Sequence, residues 1–223
     1  MSGPRRIAIV GAESTGKSWL VTALAEVLRA RGQTVHTVPE TLRLWCEREG
    51  RTPLAHEQAA IAQAQAEAVL ACQAGTVLAD TTPLVTAVYS EHFFGDVQLT
   101  AAALAHQRLY SHTLVTGLDL AWQPEWLRES PEGRLPIDGL LRERLQGAGL
   151  DFRVIYGQGL ARLNHALLAL GEAAEDEATW RQRQAAQFAL NQGRTPWLCE
   201  KCSDPDCEHR LFTGLLARPR QGE

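Results

Sequence analysis

Short apolar runs alternate along this chain with longer stretches whose apolar residues recur every three or four positions. Arg5-Arg6-Ile7-Ala8-Ile9-Val10 is the first run, bounded by charge and by Gly11, and it suits a strand buried on both faces of a parallel sheet. Ser18 to Arg31 carries Leu20, Val21, Leu24, Val27 and Leu28 at helical spacing and closes on Gly32. Thr34 to Val38 reads as a second strand, rich in β-branched residues and stopped by Pro39. His56 to Ala74 predicts a helix that Gly75 ends, and Thr76 to Asp80 a third strand ending in an acid. Pro83 to Phe94 and Thr100 to Arg108 read as helices, His112 to Thr116 as a fourth strand and Phe152 to Tyr156 as a fifth. Strands separated by helix-length segments predict an α/β fold: a doubly wound, parallel, five-stranded sheet with helices on both faces. Ligands of such a sheet sit at the C-terminal ends of its strands.

Two segments break the alternation. Asp119 to Pro136 reads as irregular, with Trp122, Trp126, Arg128, Arg134 and prolines at 124, 131 and 136, and is a candidate lid over the strand ends. The acidic run from Gly171 to Glu177 reads as a solvated turn or linker; a helix through Trp180 to Leu190 and a cysteine cluster follow. The expected organisation is therefore a main domain over residues 1–172 and a short cysteine-rich extension over 173–223.

Candidate chemistry begins directly after the first strand. Gly11-Ala12-Glu13-Ser14-Thr15-Gly16-Lys17-Ser18 has two glycines at P-loop spacing followed by Lys and Ser, between a buried strand and an amphipathic helix. The glycines let the loop curl so that backbone N–H groups face phosphate oxygens, and the helix adds its positive N-terminal end. This makes the chain a candidate P-loop NTPase that binds ATP with Mg²⁺. Gly11, Glu13, Ser14, Thr15, Gly16, Lys17, Ser18 and Trp19 are the expected nucleotide-binding set; Lys17 reaches the phosphates, and Ser18 supplies a hydroxyl to magnesium.

Asp80 closes the third strand at the ligand edge and is a candidate magnesium carboxylate; its competing role is a cap for the helix beyond Thr82. Glu40, just after the second strand, is the other candidate acid, suited to accept a proton from a substrate hydroxyl. Which of the two is base and which metal ligand stays open here. Arg128 and Arg134 are candidate lid arginines for a transferring phosphoryl group, and Trp45, Phe93, Trp122 and Trp126 are rings that could stack on a flat base. Near the C-terminus, Cys199, Cys202, Cys207 and His209 form C-x₂-C-x₄-C-x-H, a donor set suited to one tetrahedral structural zinc.

Composition narrows the function classes. A net charge of −4 without a long basic run removes the broad electrostatic footprint of a duplex-binding protein, so nucleic acid is not an expected partner. No apolar run reaches membrane-spanning length, and Met1 to Arg6 lacks the pattern of a signal peptide. Five cysteines without such a signal fit a reducing, cytoplasmic setting. The sequence carries no signal for oligomeric state.

Taken in order, the P-loop, Val38-Pro39-Glu40-Thr41-Leu42-Arg43, Asp80-Thr81-Thr82-Pro83-Leu84-Val85-Thr86, Tyr89-Ser90-Glu91-His92-Phe93-Phe94-Gly95 and Pro124-Glu125-Trp126-Leu127-Arg128 resemble the P-loop kinase domain of NadR-type proteins and their AAA-like relatives, over roughly residues 5 to 170. The resemblance implies ATP-dependent phosphorylation of a nucleoside-like metabolite, nicotinamide riboside first among them. It assigns phosphate and magnesium to Lys17 and Ser18, metal or acceptor to Asp80, and a lid role to Arg128. The chain departs from the pattern at Thr41, where those relatives often carry an aromatic, and at Thr82, where they often carry a second acid. The rival expectation is a regulatory ATP-binding module whose zinc-like tail contacts a partner protein or nucleic acid.

Overall fold

In the computed structural model the described residues are 3–122 and 131–191. They divide into a main unit, ending at Glu175, and a second unit whose described part begins at Asp176. Five strands form one sheet: β1 (Arg5–Val10), β2 (Val35–Val38), β3 (Thr76–Asp80), β4 (His112–Thr116) and β5 (Arg153–Ile155), in the order β2-β3-β1-β4-β5. All pairings are parallel, as the doubly wound reading requires. The register sets Asp80 beside Ile9 and Val115 beside Val10, so that β1 delivers its loop between the ends of β3 and β4.

The helices are α1 (Lys17–Ala30), α2 (Thr41–Glu49), α3 (Gln58–Leu70), α4 (Pro83–Phe94), α5 (Thr100–Gln107), α6 (Arg134–Gly147) and α7 (Gly159–Ala169). Strand residues alternate between two faces. Ala8, Val10, Val77, Ala79 and Val115 face a core shared with Ile61, Leu84, Val88, Ile137 and Leu141 of α3, α4 and α6. On the other face α1 packs on β1, β2 and β3 and meets α7, which in turn packs on β5. The strands are therefore covered on both sides, which is why they read as unbroken apolar runs.

Three helices lie where the sequence reading names none. Arg134 does not belong to an irregular lid: it opens α6, and Pro136 sits in that helix's first turn, where a missing N–H removes no intrahelical bond. α2 buries only Leu42, so it carries little periodic signal. In α7 the buried positions are Arg162, Leu163, Ala166 and Leu167, and a charged residue interrupts the apolar pattern. A second correction concerns Gly75. α3 stops at Leu70, and Gly75, at φ +73°, instead leads into β3, where an added Cβ would lie 2.6 Å from the Thr34 carbonyl oxygen.

The acidic run is not a free linker over its first part. Glu172 pairs with Arg5 at 2.8 Å, and Glu175, buried, pairs with Arg31 at 3.2 Å and accepts from and donates to Asn164 through its backbone. Beyond it, α8 (Glu177–Asn191) is a helix of the second unit, opened by Asp176, whose carboxylate accepts from the Thr179 N–H and hydroxyl. No helix among the described residues is long and apolar enough to cross a membrane.

Candidate phosphate-binding site

The loop after β1 takes its shape from residues with unusual freedom and from donors that hold its carbonyls. Gly16 caps α1 in the left-handed region, at φ 75° and ψ 28°, and Ser14 also lies at positive φ, 51°. Gly11 has no room for a side chain: a Cβ there would stand 2.2 Å from the Thr116 hydroxyl. The Ala12 carbonyl accepts from the Thr15 hydroxyl at 2.7 Å and from Lys17 Nζ at 2.8 Å, so the ammonium is folded over the loop and buried. Thr116, at the end of β4, donates to the Val10 carbonyl at 3.2 Å and lies 2.7 Å from the Thr15 hydroxyl. The Gly16 carbonyl takes the first helical bond, from Leu20 N–H at 3.0 Å. Ser18 and Trp19 stand half-buried on the first turn of α1.

Beside this loop the strand order brings two carboxylates together. Asp80 leaves β3 next to β1, and Glu40 caps α2 at the end of β2; both are buried. Burial, followed by the nearby Glu40 charge, pushes the Asp80 carboxyl up to about 6, against the pull of Lys17, Ser18 and Arg43. Ser18 hydrogen-bonds the Asp80 carboxylate, while Asp80 Oδ1 is buried without a hydrogen-bond partner among the described residues. An orphaned carboxylate oxygen beside a hydroxyl and a second acid is the hard oxygen set that magnesium takes, so Ser18 and Asp80 fit that ion. Glu40 lies on the α2 side, 3.6 Å from Arg43 Nε.

The turn after Asp80 is strained. Thr81 adopts φ 68°, rare for a β-branched residue, and its N–H is fixed by the Ile9 carbonyl at 2.9 Å. Its neighbour Thr82, fully buried, donates to Gln107, which donates to Thr113 of β4. This relay ties the start of α4 to the sheet, where relatives of the resembled type often carry a second acid. α4 itself starts at Pro83, so the competing role of Asp80 as helix cap falls to Thr82, which holds the N-cap position without a side-chain cap bond.

Other predicted residues take different places. Glu13 turns from the loop toward α4, where the Tyr89 hydroxyl donates to it at 2.9 Å; Tyr89 in turn stacks on the exposed Phe93 with ring centroids 5.9 Å apart. Trp45 has the Arg51 guanidinium 4.8 Å over its ring, and Trp122 is half-buried. Arg134 is buried and donates to the Leu120 carbonyl at 3.0 Å and the Ser14 carbonyl at 3.4 Å. Arg128, Trp126 and the four tail residues Cys199, Cys202, Cys207 and His209 lie outside the described residues, and among the described residues no three or more His, Cys, Asp or Glu side chains group as metal ligands. Sequence reading missed Thr116, Tyr89, Asp119 and Arg162. For Arg162 the available signal was a lone arginine on the apolar face of α7.

Two NadR crystal structures have a similar fold. One, in complex with NAD and AMP-PNP, superposes with a TM-score of 0.59 at 21% identity, covering 78% of this chain and 51% of that chain. The other, in complex with NR, gives 0.61 at 22% identity, covering 78% and 52%. The chain thus spans about half the length of each, and at such identity the likeness is one of fold. No curated protein sequence matches the chain. Residues 6–162, from β1 to the buried arginine of α7, match the AAA domain family AAA_28, a span that holds the whole five-stranded sheet and the loop after its central strand: the chain belongs to the AAA_28 family.

Proposed function

We propose that this chain is a P-loop kinase that transfers the γ-phosphoryl group of ATP to a hydroxyl of a small nucleoside-like acceptor, with nicotinamide riboside as the first candidate. The observation that carries the reading is the convergence of Lys17, Ser18, Asp80 and Glu40 at the C-terminal ends of β1, β2 and β3. A switch that only binds nucleotide has no need of a second buried acid beside the first. The NadR structures, one holding AMP-PNP and the other NR, support the choice of donor and acceptor.

In this mechanism the loop N–H groups and Lys17 hold the β- and γ-phosphates and offset the charge that spreads over the transferring group. Ser18 and Asp80 would hold magnesium, which would supply further neutralisation of the phosphate oxygens. Glu40, beside Asp80 at the end of β2, orients the acceptor hydroxyl and takes its proton. Glu13 and Tyr89 join the phosphate loop to α4 by one hydrogen bond.

The test is ATP consumption by purified protein with magnesium across a panel of nucleosides led by nicotinamide riboside, with Lys17→Ala as the blank. Phosphorylation of one acceptor establishes the kinase. ATP binding without acceptor-stimulated turnover replaces it with a nucleotide-dependent switch.

A further inference from the structure

The phosphate loop is held from behind by two arginines that are not part of its motif. A trans peptide places its C=O and its N–H on opposite sides, and no peptide among the described residues is cis. Whatever fixes the carbonyl of one residue therefore aims the N–H of the next in the opposite direction. Arg162 Nη2 donates to the Thr15 carbonyl at 2.6 Å, which aims the Gly16 N–H away from the guanidinium. Arg134 Nη2 does the same, over a longer 3.4 Å, for the Ser14 carbonyl and the Thr15 N–H. Both N–H groups lie where a P-loop meets phosphate.

Arg162 is only 1% exposed and is anchored on three sides. Its Nη1 donates to the Gly157 carbonyl at 2.9 Å and to Asp119 Oδ1 at 3.1 Å, and Asp119 Oδ2 accepts from the Gly157 N–H at 2.6 Å. Burial works against the Asp119 charge, but the Gly157 N–H and the guanidinium outweigh it and hold the carboxyl below the ordinary aspartate range. Gly157 sits at φ +96°, and a Cβ there would stand 3.2 Å from the Arg162 N atom, so glycine is what lets the turn after β5 close on α7. A rigid guanidinium fork can serve three acceptors at once; the point charge of a lysine cannot keep that geometry.

A buried arginine is expensive to desolvate, and an apolar side chain would fill the same space with less penalty. Here its three partners belong to three different loops, after β1, β4 and β5, all at the ligand edge of the sheet. Arg134 repeats the arrangement from the other side, joining Ser14 to Leu120. We infer that Arg162, with Arg134 as its weaker counterpart, is a positioning residue that fixes the peptide planes of the phosphate loop and so sets its affinity for polyphosphate. The inference rests on the nucleotide-binding part of the reading above, and it couples the loops after β4 and β5 to the phosphate loop without touching ligand.

The test titrates the full chain with inorganic tripolyphosphate and with ATP, in magnesium, comparing wild type with Arg162→Gln, Arg162→Lys, Asp119→Asn and Lys17→Ala, while urea midpoints report folding. The inference expects Arg162→Gln and Arg162→Lys to weaken tripolyphosphate and ATP alike by about ten-fold or more in folded protein. Asp119→Asn should weaken both in the same direction by about three-fold, since it loosens the fork without removing it. Wild-type affinity in folded Arg162→Lys overturns the inference, because charge balance for Asp119 would then be the arginine's whole role. If Arg162→Gln does not fold, Arg162→Lys and Asp119→Asn decide the matter. Loss of binding in Lys17→Ala with full binding in the Arg162 variants sinks this inference alone. A wild type that binds neither probe sinks the nucleotide reading and this inference with it.

Discussion

At the C-terminal ends of the strands, Lys17, Glu40 and Asp80 are buried with charge facing charge, whereas at the N-terminal ends His106 and Tyr110 are buried in their neutral forms. Burial pushes the His106 imidazolium down, against the Ala66 carbonyl and with the help of Arg6. Burial likewise pushes the Tyr110 phenol up, against Arg6. The two rings meet edge to face, with centroids 5.5 Å apart. At one end of the sheet burial and a neighbouring charge bring the Asp80 carboxyl to about 6, and at the other burial shifts His106 and Tyr110 toward their neutral forms. Retained charge in a buried place is a marker of chemistry, and neutralised polarity is a marker of packing.

The sharpest way to break this comparison is to remove charge at the ligand edge. Lys17→Ala should lower acceptor-dependent turnover by at least about a hundred-fold, and Asp80→Asn by a similar factor, while neither unfolds the protein. Turnover assays beside thermal melts will separate the two effects, and full activity in Asp80→Asn would remove that carboxylate from the mechanism. The magnesium-free protein offers a second test. A carboxyl whose folded pKa is about 6, above its unfolded value, gives stability that is present below the unfolded pKa and lost as pH rises through about 6. Urea denaturation should therefore show a loss on the order of 1–2 kcal/mol between pH 4 and pH 7 from Asp80, absent in Asp80→Asn.

Strain gives a smaller effect. Thr81→Gly relieves the left-handed backbone and should raise stability by about 1 kcal/mol, read from the thermal midpoint, while turnover falls because the turn after Asp80 is less fixed. At the other end of the sheet, Tyr110→Phe removes a buried hydroxyl with no hydrogen-bond partner among the described residues. Its stability should change by less than about 1 kcal/mol and its turnover not at all. A large loss of turnover there would erase the contrast between the two ends.

Much of the fold is legible in the sequence because parallel strands covered on both faces are unbroken apolar runs, as Ile7 to Val10 and Val77 to Ala79 show. The phosphate loop is legible because its glycines and Lys17 act locally, at fixed spacing. Asp80 and Glu40 could be placed at the ligand edge by their positions after strands. Their mutual effect depends on β3 lying between β1 and β2, a strand order that no single segment encodes. The same limit hid Arg162 and Thr116, whose partners are distant in the chain: the Arg162 side chain meets the Thr15 carbonyl across 147 residues. α6 was obscured by Pro136, since a proline in a first helical turn looks like a loop residue.

The ion pairs of Glu172 and Glu175 have a mechanical consequence. Arg5 begins β1 and Arg31 ends α1, so the two carboxylates fasten the far ends of the two arms whose near ends meet at the phosphate loop. The arms behave as a pair of tongs closed at the handle. Each handle is a pair of opposite charges far from the jaws, so salt or substitution can loosen it without touching a residue of the phosphate loop.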